Sequence, residues 1–166
     1  MECRVLGALI VVGVLTGVPA WVGAQSGKSV VEGAWVLQDF NYAKSPPPVR
    51  LNKPLGMLLF SGNHYAFVIV RDSGPRPEVG PEGLKGTAED LRSAWGPLQA
   101  QAGTIQIAGN LLTTRANVSK GNIPMEKGSF LEFTFSVKGD TLTMVTTKDQ
   151  TGPEQNPRTW LFVRAK

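Results

Sequence analysis

Two arginines within β-strand patterns are the side chains of this sequence best suited to hold a ligand. Arg71 lies on the same alternate face of its stretch as Tyr65 and Phe67. Arg115 lies on the same face as Thr113 in a later stretch. If those faces point into a closed sheet, the interior is apolar with a cation near its mouth, which suits a fatty-acid-like or aromatic carboxylate. In the alternative interpretation, both arginines are surface residues at strand ends.

Catalytic and metal-binding signatures are missing from the sequence. His64 is the only histidine and follows Gly62-Asn63 in a predicted turn, and Cys3 is the only cysteine. A zinc site or a Ser-His-Asp triad needs more groups than these. We therefore predict no metal ion, no cofactor and no catalytic residue, although the absence of such a motif does not by itself exclude an enzyme.

Paired carboxylates would offer acid–base chemistry only if two acids faced one cavity. Asp39 shares an alternate face with Trp35 and is the acid that we expect to reach an interior. Glu132 precedes Phe133 and is expected to face outward, because we expect Phe133 and Phe135 to occupy the inner face of that strand. The alternative role for Asp39 is a strand-end cap or an ion-pair partner.

The first 24 residues are typical of a signal peptide. Arg4 supplies a positive start, residues 5–18 form an uncharged apolar run, and small residues lead up to Ala24. We predict cleavage near Ala24, export to the periplasm or the medium, and no stable membrane anchor afterwards. Because Cys3 lies inside this signal, the mature chain has no disulfide.

The charge pattern argues against nucleic acid as a partner. Seventeen Lys and Arg residues against thirteen Asp and Glu residues give a net charge of +4, and the bases form no run. Nucleic-acid binding proteins usually carry clustered basic residues. A weak preference for anionic small molecules is compatible with this excess.

Eight stretches after the signal have the composition and spacing of β-strands. They are residues 33–40, 55–60, 65–71, 104–108, 111–117, 129–137, 141–147 and 159–164. Gly109-Asn110 and Gly139-Asp140 are two-residue turns of the kind that hairpins require. We predict a flexible lead-in over residues 25–32 and a single domain over residues 33–166, in which eight antiparallel strands close into an up-and-down barrel.

One helix is predicted between the third and fourth strands. Thr87 is a suitable N-cap, and Ala88, Leu91, Ala94 and Trp95 form an apolar stripe that we expect to pack on the sheet. We expect the helix to kink near Gly96 and to resume over residues 98–102. Residues 72–102 would then form a flap or side helix that covers the apolar outer face of strands two and three.

The order of these segments resembles the lipocalin-like domain family, a bacterial branch of the calycin β-barrels. The matching pieces are Gly-Ala-Trp-Val-Leu at 33–37, Pro-Leu-Gly-Met-Leu-Leu-Phe at 54–60, Thr-Ala-Glu-Asp-Leu at 87–91, Gly-Thr-Ile at 103–105, Val-Lys-Gly-Asp-Thr-Leu-Thr at 137–143 and Thr-Trp-Leu-Phe-Val-Arg at 159–164. The resemblance covers roughly residues 31–165. It implies that Trp35 plugs the closed end of the barrel, with Arg164 from the last strand packed within about 6 Å of the indole as a structural contact.

Three functions are compatible with such a barrel. The first is binding of a small hydrophobic or amphipathic ligand, anionic ligands included, in the lumen. The second is a cofactor-independent cyclase or isomerase acting on a hydrophobic substrate, with Arg71, Arg115, Asp39 and Tyr65 as its polar groups. The third is a filled barrel with a structural or interaction role, in which the aromatic residues are plain core. The expected ligand-binding residues are Tyr65, Phe67, Arg71, Trp95, Arg115, Phe133, Phe135 and Met144.

Overall fold

Eight long antiparallel strands close on themselves in the structure, a computed structural model that describes residues 29–44, 55–71, 76–80 and 85–166. The order is β1 (Gly33–Tyr42), β2 (Leu55–Ser61), β3 (His64–Val70), α1 (Ala88–Trp95), β4 (Leu98–Ala108), β5 (Leu111–Ser119), a 3-10 turn (Ile123–Met125), β6 (Leu131–Lys138), β7 (Thr141–Asp149), β8 (Gly152–Pro153) and β9 (Arg158–Arg164). Consecutive strands pair from β1 to β7, β7 also pairs with β9, and β9 pairs with β1. The two-residue β8 pairs antiparallel with the end of β7 and takes no part in closing the barrel. The predicted fold, an eight-stranded antiparallel barrel with one helix after the third strand, is confirmed.

Several sequence predictions fall on residues outside this description. They are the signal peptide at residues 1–24, the start of the lead-in up to residue 28, and residues 72–75 and 81–84 of the predicted flap. Among the described residues, no helix is long and apolar enough to cross a membrane.

Short glycine turns join the strands at one end of the barrel. Gly62, Gly109 and Gly139 have φ values of +56°, +61° and +56°. This left-handed region is open to glycine at no steric cost, and it matches the right-handed twist of the strands that follow. Both turns predicted with two residues, at Gly109 and Gly139, join the strands expected of them.

A β-bulge in β1 changes which of its residues face the interior. The pairing of β1 with β9 shifts between Leu37 and Asp39, so one extra residue is inserted there. Phe40 is buried at 2% exposure, while the Asp39 carboxylate accepts a hydrogen bond from the Phe40 amide at 2.8 Å. The expectation that Asp39 shares the inner face of Trp35 is wrong, because the extra residue inverts the alternation.

The helix is shorter than expected. Thr87 caps α1 as predicted, because its hydroxyl accepts from the Asp90 amide at 3.1 Å and its own amide donates to the Asp90 carboxylate at 2.8 Å. These bonds from Thr87 hold the pKa of Asp90 below its usual value. The helix ends at Trp95, and residues 98–102 do not resume it. They form the first half of β4 and pair with β3, from Val70 opposite Leu98 onward.

The outer face of β2 and β3 stays in contact with water. Leu55, Met57, Leu59 and Val68 are 64%, 47%, 46% and 53% exposed. The predicted cover from residues 72–102 is therefore wrong for the described part of that segment, in which Ala94 is the buried residue of α1. Apolar atoms make up about half of any folded protein's surface, so an apolar outer face does not require a cover.

Candidate functional site

The indole of Trp35 closes one end of the barrel. Trp35 is fully buried, and its Nε1 donates to the Val31 carbonyl at 2.7 Å. The Arg164 guanidinium lies 4.2 Å from the centre of the indole ring. It also donates to the carbonyls of Glu32 at 2.8 Å and Val30 at 3.3 Å. Stacking and hydrogen bonding thus join the two ends of the domain into a closed floor, at the pair of residues that the family resemblance implies.

Residues 29–32 belong to this floor, although the sequence favoured a flexible lead-in. They form a turn in which Val31 is fully buried. Gly33 then starts β1 with φ at +116°, and a Cβ there would lie 3.1 Å from Nη1 of Arg164. Glycine suits this position because the backbone conformation and the close guanidinium both disfavour a side chain.

The other end of the barrel opens into a cavity of about 520 Å³. This mouth is where β3, β5 and β7 end and where β4, β6 and β9 begin. Apolar side chains line the deeper part, namely Leu58, Phe60, Phe67, Ile69, Phe133 and Phe162. Polar and charged side chains lie toward the mouth, namely Arg71, Lys120, Ser129, Asp149 and Arg158. Pockets for small molecules occupy about 300–1,000 Å³, so this lumen has room for one ligand.

Five of the eight predicted ligand-binding residues line the cavity. They are Tyr65, Phe67, Arg71, Phe133 and Met144. Tyr65 and Met144 are 4% exposed, so they lie deep in the barrel. The alternation of β3 brings Tyr65, Phe67 and Arg71 to one inner face, which is the arrangement that the sequence predicts.

Arg115 lies outside the lumen. Leu112 and Thr114 are the buried residues of β5, so the alternation turns Arg115 outward, where its guanidinium sits 5.4 Å from the centre of the Phe130 ring. The prediction that it lines the interior is wrong, because two adjacent leucines at 111 and 112 make either face of β5 look apolar.

Trp95 and Phe135 are also absent from the cavity wall. Trp95 is 42% exposed at the end of α1 and contributes its backbone carbonyl, which accepts from Nζ of Lys120. The same Lys120 ammonium donates to the Leu98 carbonyl at 3.1 Å, which ties the end of α1 to the mouth. Phe135 is 9% exposed and belongs to the packed core.

Three polar atoms on cavity-lining side chains are buried without a hydrogen-bond partner among the described residues. They are Oη of Tyr65, Nε of Arg71 and Nε1 of Trp160. A buried donor without a partner costs about 1–3 kcal/mol, so native proteins rarely keep such groups without a reason. Trp160 was not among the predicted site residues, although it alternates with Phe162 and Arg164 in the last strand and so shares their inner face.

The Arg71 guanidinium lacks partners for some of its hydrogen-bond donors and for its charge among the described residues. Its Nη1 donates to the Tyr42 hydroxyl at 3.1 Å, and none of the ion pairs between described residues includes it. Arg158, the other lining arginine, is different because it pairs with Glu154 at 3.0 Å. The lumen therefore contains one partly buried positive charge without a counter-ion among the described residues.

Aromatic side chains in and behind the cavity wall form a connected set around Trp160. The Trp160 ring lies 4.3 Å from Phe40 and 6.3 Å from Phe67, measured between ring centres. Phe40 in turn meets Tyr42 edge-on at 5.0 Å. Such offset and edge-to-face contacts fix the orientation of the rings, so the cavity wall is preformed.

We expect Tyr65 to titrate abnormally. Burial raises the pKa of its phenol from 10.0 to about 12, and the nearby Thr114 hydroxyl offsets this only in part. Thr114 donates to the Leu131 carbonyl at 3.3 Å, and the Tyr65 hydroxyl has no hydrogen-bond partner among the described residues. Since the pKa is raised on folding, this contribution to stability is complete below pH 10 and lost as the pH rises to about 12.

A phenolate absorbance titration, followed together with circular dichroism, checks this. The chain has two tyrosines, so Tyr65→Phe leaves Tyr42 alone and should remove the component near pH 12. A difference between the two titrations centred at pH 10 instead would contradict a buried phenol.

Carboxylates near the mouth are already engaged. Asp149 accepts from the amide and the hydroxyl of Thr151 at 2.7 and 2.6 Å, and these bonds hold the pKa of Asp149 below its usual value. The described residues contain no cluster of three or more His, Cys, Asp or Glu side chains that could hold a metal ion. What the site offers is therefore an apolar wall with a few unpaired donors.

Comparisons with known proteins add little to this geometry. No protein-family model matches the chain, and no curated protein matches it. One solved structure that resembles it is that of a mutant of the fluorescent protein UnaG, at 12% sequence identity and a TM-score of 0.35. That match covers 81% of this chain and 96% of the other. The likeness is too distant to carry an argument, so the assignment of the fold rests on the strand pairing.

Proposed function

We propose that this chain is an exported lipocalin-like protein that binds one small, mostly apolar molecule in its barrel lumen. The observation that carries the proposal is the cavity of about 520 Å³ above the Trp35 floor. Its deep wall is made of aliphatic and aromatic side chains, and burying apolar ligand surface there gains about 25 cal/mol per Å². The Trp35–Arg164 contact supports the lipocalin-like part, and the sequence of residues 1–24 supports export.

The cavity also distinguishes ligand binding from a filled barrel. In a filled barrel the inward side chains meet at native packing density and leave no void larger than a water molecule or so. Leu112 and Leu142, at the floor end of β5 and β7, are fully buried and do not line the cavity. Toward the mouth the lumen stays open, and this favours a ligand over a purely structural role.

The enzymatic alternative gains no specific support from the lumen. Asp39 is absent from the cavity wall, and Asp149 at the mouth accepts hydrogen bonds from Thr151. Proton transfer requires an acid or base within hydrogen-bond reach of the substrate, with a pKa near the working pH. The Tyr65 phenol, with a pKa raised to about 12, is a poor base at neutral pH.

Fluorescence of N-phenylnaphthylamine, a neutral apolar probe, tests the proposal directly. We expect saturable enhancement with one probe per chain, because the cavity has room for one small molecule. Native mass spectrometry of protein purified from its own host should show a bound lipophile, and the intact mass reports whether residues 1–24 are removed. A protein that neither binds the probe nor carries any lipophile would overturn the binding proposal.

A further inference from the structure

We propose that the ligand is an elongated amphipathic carboxylate whose apolar body carries at least one further hydrogen-bond acceptor. This inference rests on the proposed function and narrows its ligand class. It follows from the kind of polar groups that the lumen leaves unpaired, namely Arg71 and Trp160, with Tyr65 deeper in the barrel.

The carboxylate follows from Arg71. Its guanidinium lines the cavity at the mouth and donates through Nη1 to the Tyr42 hydroxyl, while its buried Nε–H has no partner among the described residues. No carboxylate among the described residues pairs with it. A guanidinium is always charged and presents its donors in a planar fork that matches a carboxylate. An anionic head group would complete this set, whereas an alcohol would leave the charge unbalanced.

The further acceptor follows from Trp160. An indole N–H can only donate. In the described part of the chain this one is buried without a partner, on a side chain that is 6% exposed and lines the cavity. The Tyr65 hydroxyl is in the same state on a side chain 4% exposed. A carbonyl, hydroxyl or ether oxygen on the ligand would accept from these donors. A pure hydrocarbon body would leave both unsatisfied.

The elongated shape follows from where these groups lie along the strands. Arg71 immediately follows β3 at the mouth, whereas Tyr65 is near its start, six residues earlier or about 20 Å along an extended strand. Trp160 is the third residue of β9, which begins at the mouth. The donors therefore sit at different depths, with apolar wall between them, and a ligand that meets them has its head at the mouth.

The head group is tested with decanoate and decanol, which share a chain and differ in charge. Each is titrated against bound N-phenylnaphthylamine. Decanoate should displace the probe at roughly tenfold to 100-fold lower concentration than decanol, the range expected of a charged hydrogen bond. In Arg71→Met this preference should vanish, measured as the ratio of the two displacing concentrations within that variant. Lys138→Met, which removes an exposed charge at the opposite end of the barrel, should change neither that ratio nor the affinity for the probe.

The body acceptor is tested with decanoate and mid-chain oxodecanoates, in which a carbonyl is placed at successive positions. At least one should bind about threefold to tenfold more tightly than decanoate, as a neutral hydrogen bond would allow. Trp160→Phe keeps the aromatic ring and removes the donor, so it should abolish that gain.

Failure of this inference is distinguishable from failure of the binding proposal. If the neutral probe binds but decanoate and decanol compete equally, the lumen takes an uncharged ligand and the carboxylate is overturned. If Lys138→Met lowers the preference as much as Arg71→Met, the effect is general attraction and the Arg71 contact is overturned. If no oxodecanoate exceeds decanoate, the body acceptor is overturned. Absence of both probe binding and a co-purified lipophile would instead overturn the binding proposal itself.

Discussion

Trp35→Ala should lower the free energy of unfolding by about 3–5 kcal/mol, the range measured when a buried large aromatic is truncated. Trp35 is fully buried, so its removal leaves a void at the floor that the paired strands cannot collapse into. The substitution also deletes the donor to the Val31 carbonyl and the ring beneath the Arg164 guanidinium. Urea unfolding followed by far-ultraviolet circular dichroism measures the loss.

A matched control comes from the neighbouring strand. Met57 is 47% exposed on the outer face of β2 and pairs with Val36 of β1, so Met57→Ala should stay within about 0.5 kcal/mol of the parent protein. If Trp35→Ala and Met57→Ala lowered the free energy of unfolding equally, the Trp35 floor would contribute no more to stability than an exposed position does.

Arg164→Met separates the stack from the hydrogen bonds. Methionine keeps an apolar stem over the indole but cannot donate to the carbonyls of Glu32 and Val30, so a loss of about 1–3 kcal/mol is expected. Because Trp35 and Arg164 are in contact, the double variant should lose less than the sum of the two single losses. Strict additivity would mean that the two side chains act independently despite their 4.2 Å separation.

The fold could be predicted because strand periodicity and turn chemistry point the same way along most of the chain. Gly109-Asn110 and Gly139-Asp140 fix two hairpins by their φ requirement, and alternation on β3 places Tyr65, Phe67 and Arg71 on one face. Two residues far apart in sequence, Trp35 and Arg164, are directly paired across β1 and β9. Strand alternation and turn chemistry were therefore enough to predict which residues face inward wherever the strands are regular.

Irregular strands set the limit of that prediction. A bulge has no reliable sequence signal, so the inversion after Leu37 that turns Asp39 away from the lumen could not be seen beforehand. Adjacent apolar residues at the start of β5 likewise hid which face Arg115 takes. Residues 98–102 are a different case, because Leu-Gln-Ala-Gln-Ala alternates with a period of two and did signal a strand. The helical stripe before Gly96 obscured it.

The depth of the lumen is a tertiary property. Aromatic residues in a β-barrel sequence indicate burial, but whether they meet at the axis or leave a cavity depends on how the strands tilt and on side-chain volumes that pack across the barrel. Phe133 and Phe135 lie two residues apart on one strand, and only Phe133 lines the cavity. The change from packed core to open cavity therefore occurs between Phe135 and Phe133, which alternation alone cannot tell apart.

Ala116→Phe should weaken N-phenylnaphthylamine binding by about tenfold to 100-fold, because overpacking an occupied site costs about 1–3 kcal/mol. Ala116 lines the cavity from β5, so a phenyl ring there takes up volume that the probe needs. The cavity has room for the ring, so circular dichroism and urea unfolding should show a folded barrel. Fluorescence titration of the probe gives the dissociation constant.

Thr113→Phe is the control, since it adds the same ring to the same strand on the outer side, between Leu112 and Thr114 that face inward. It should leave probe affinity unchanged. If Ala116→Phe is folded and still binds the probe as tightly as the parent protein, the probe occupies another apolar surface. The exposed side chains of β2 and β3 are then the place to look, and Met57→Ser or Val68→Ser should weaken binding instead. If Ala116→Phe loses probe binding and Thr113→Phe keeps it, the probe binds in the lumen, because the two variants add the same ring to opposite faces of β5.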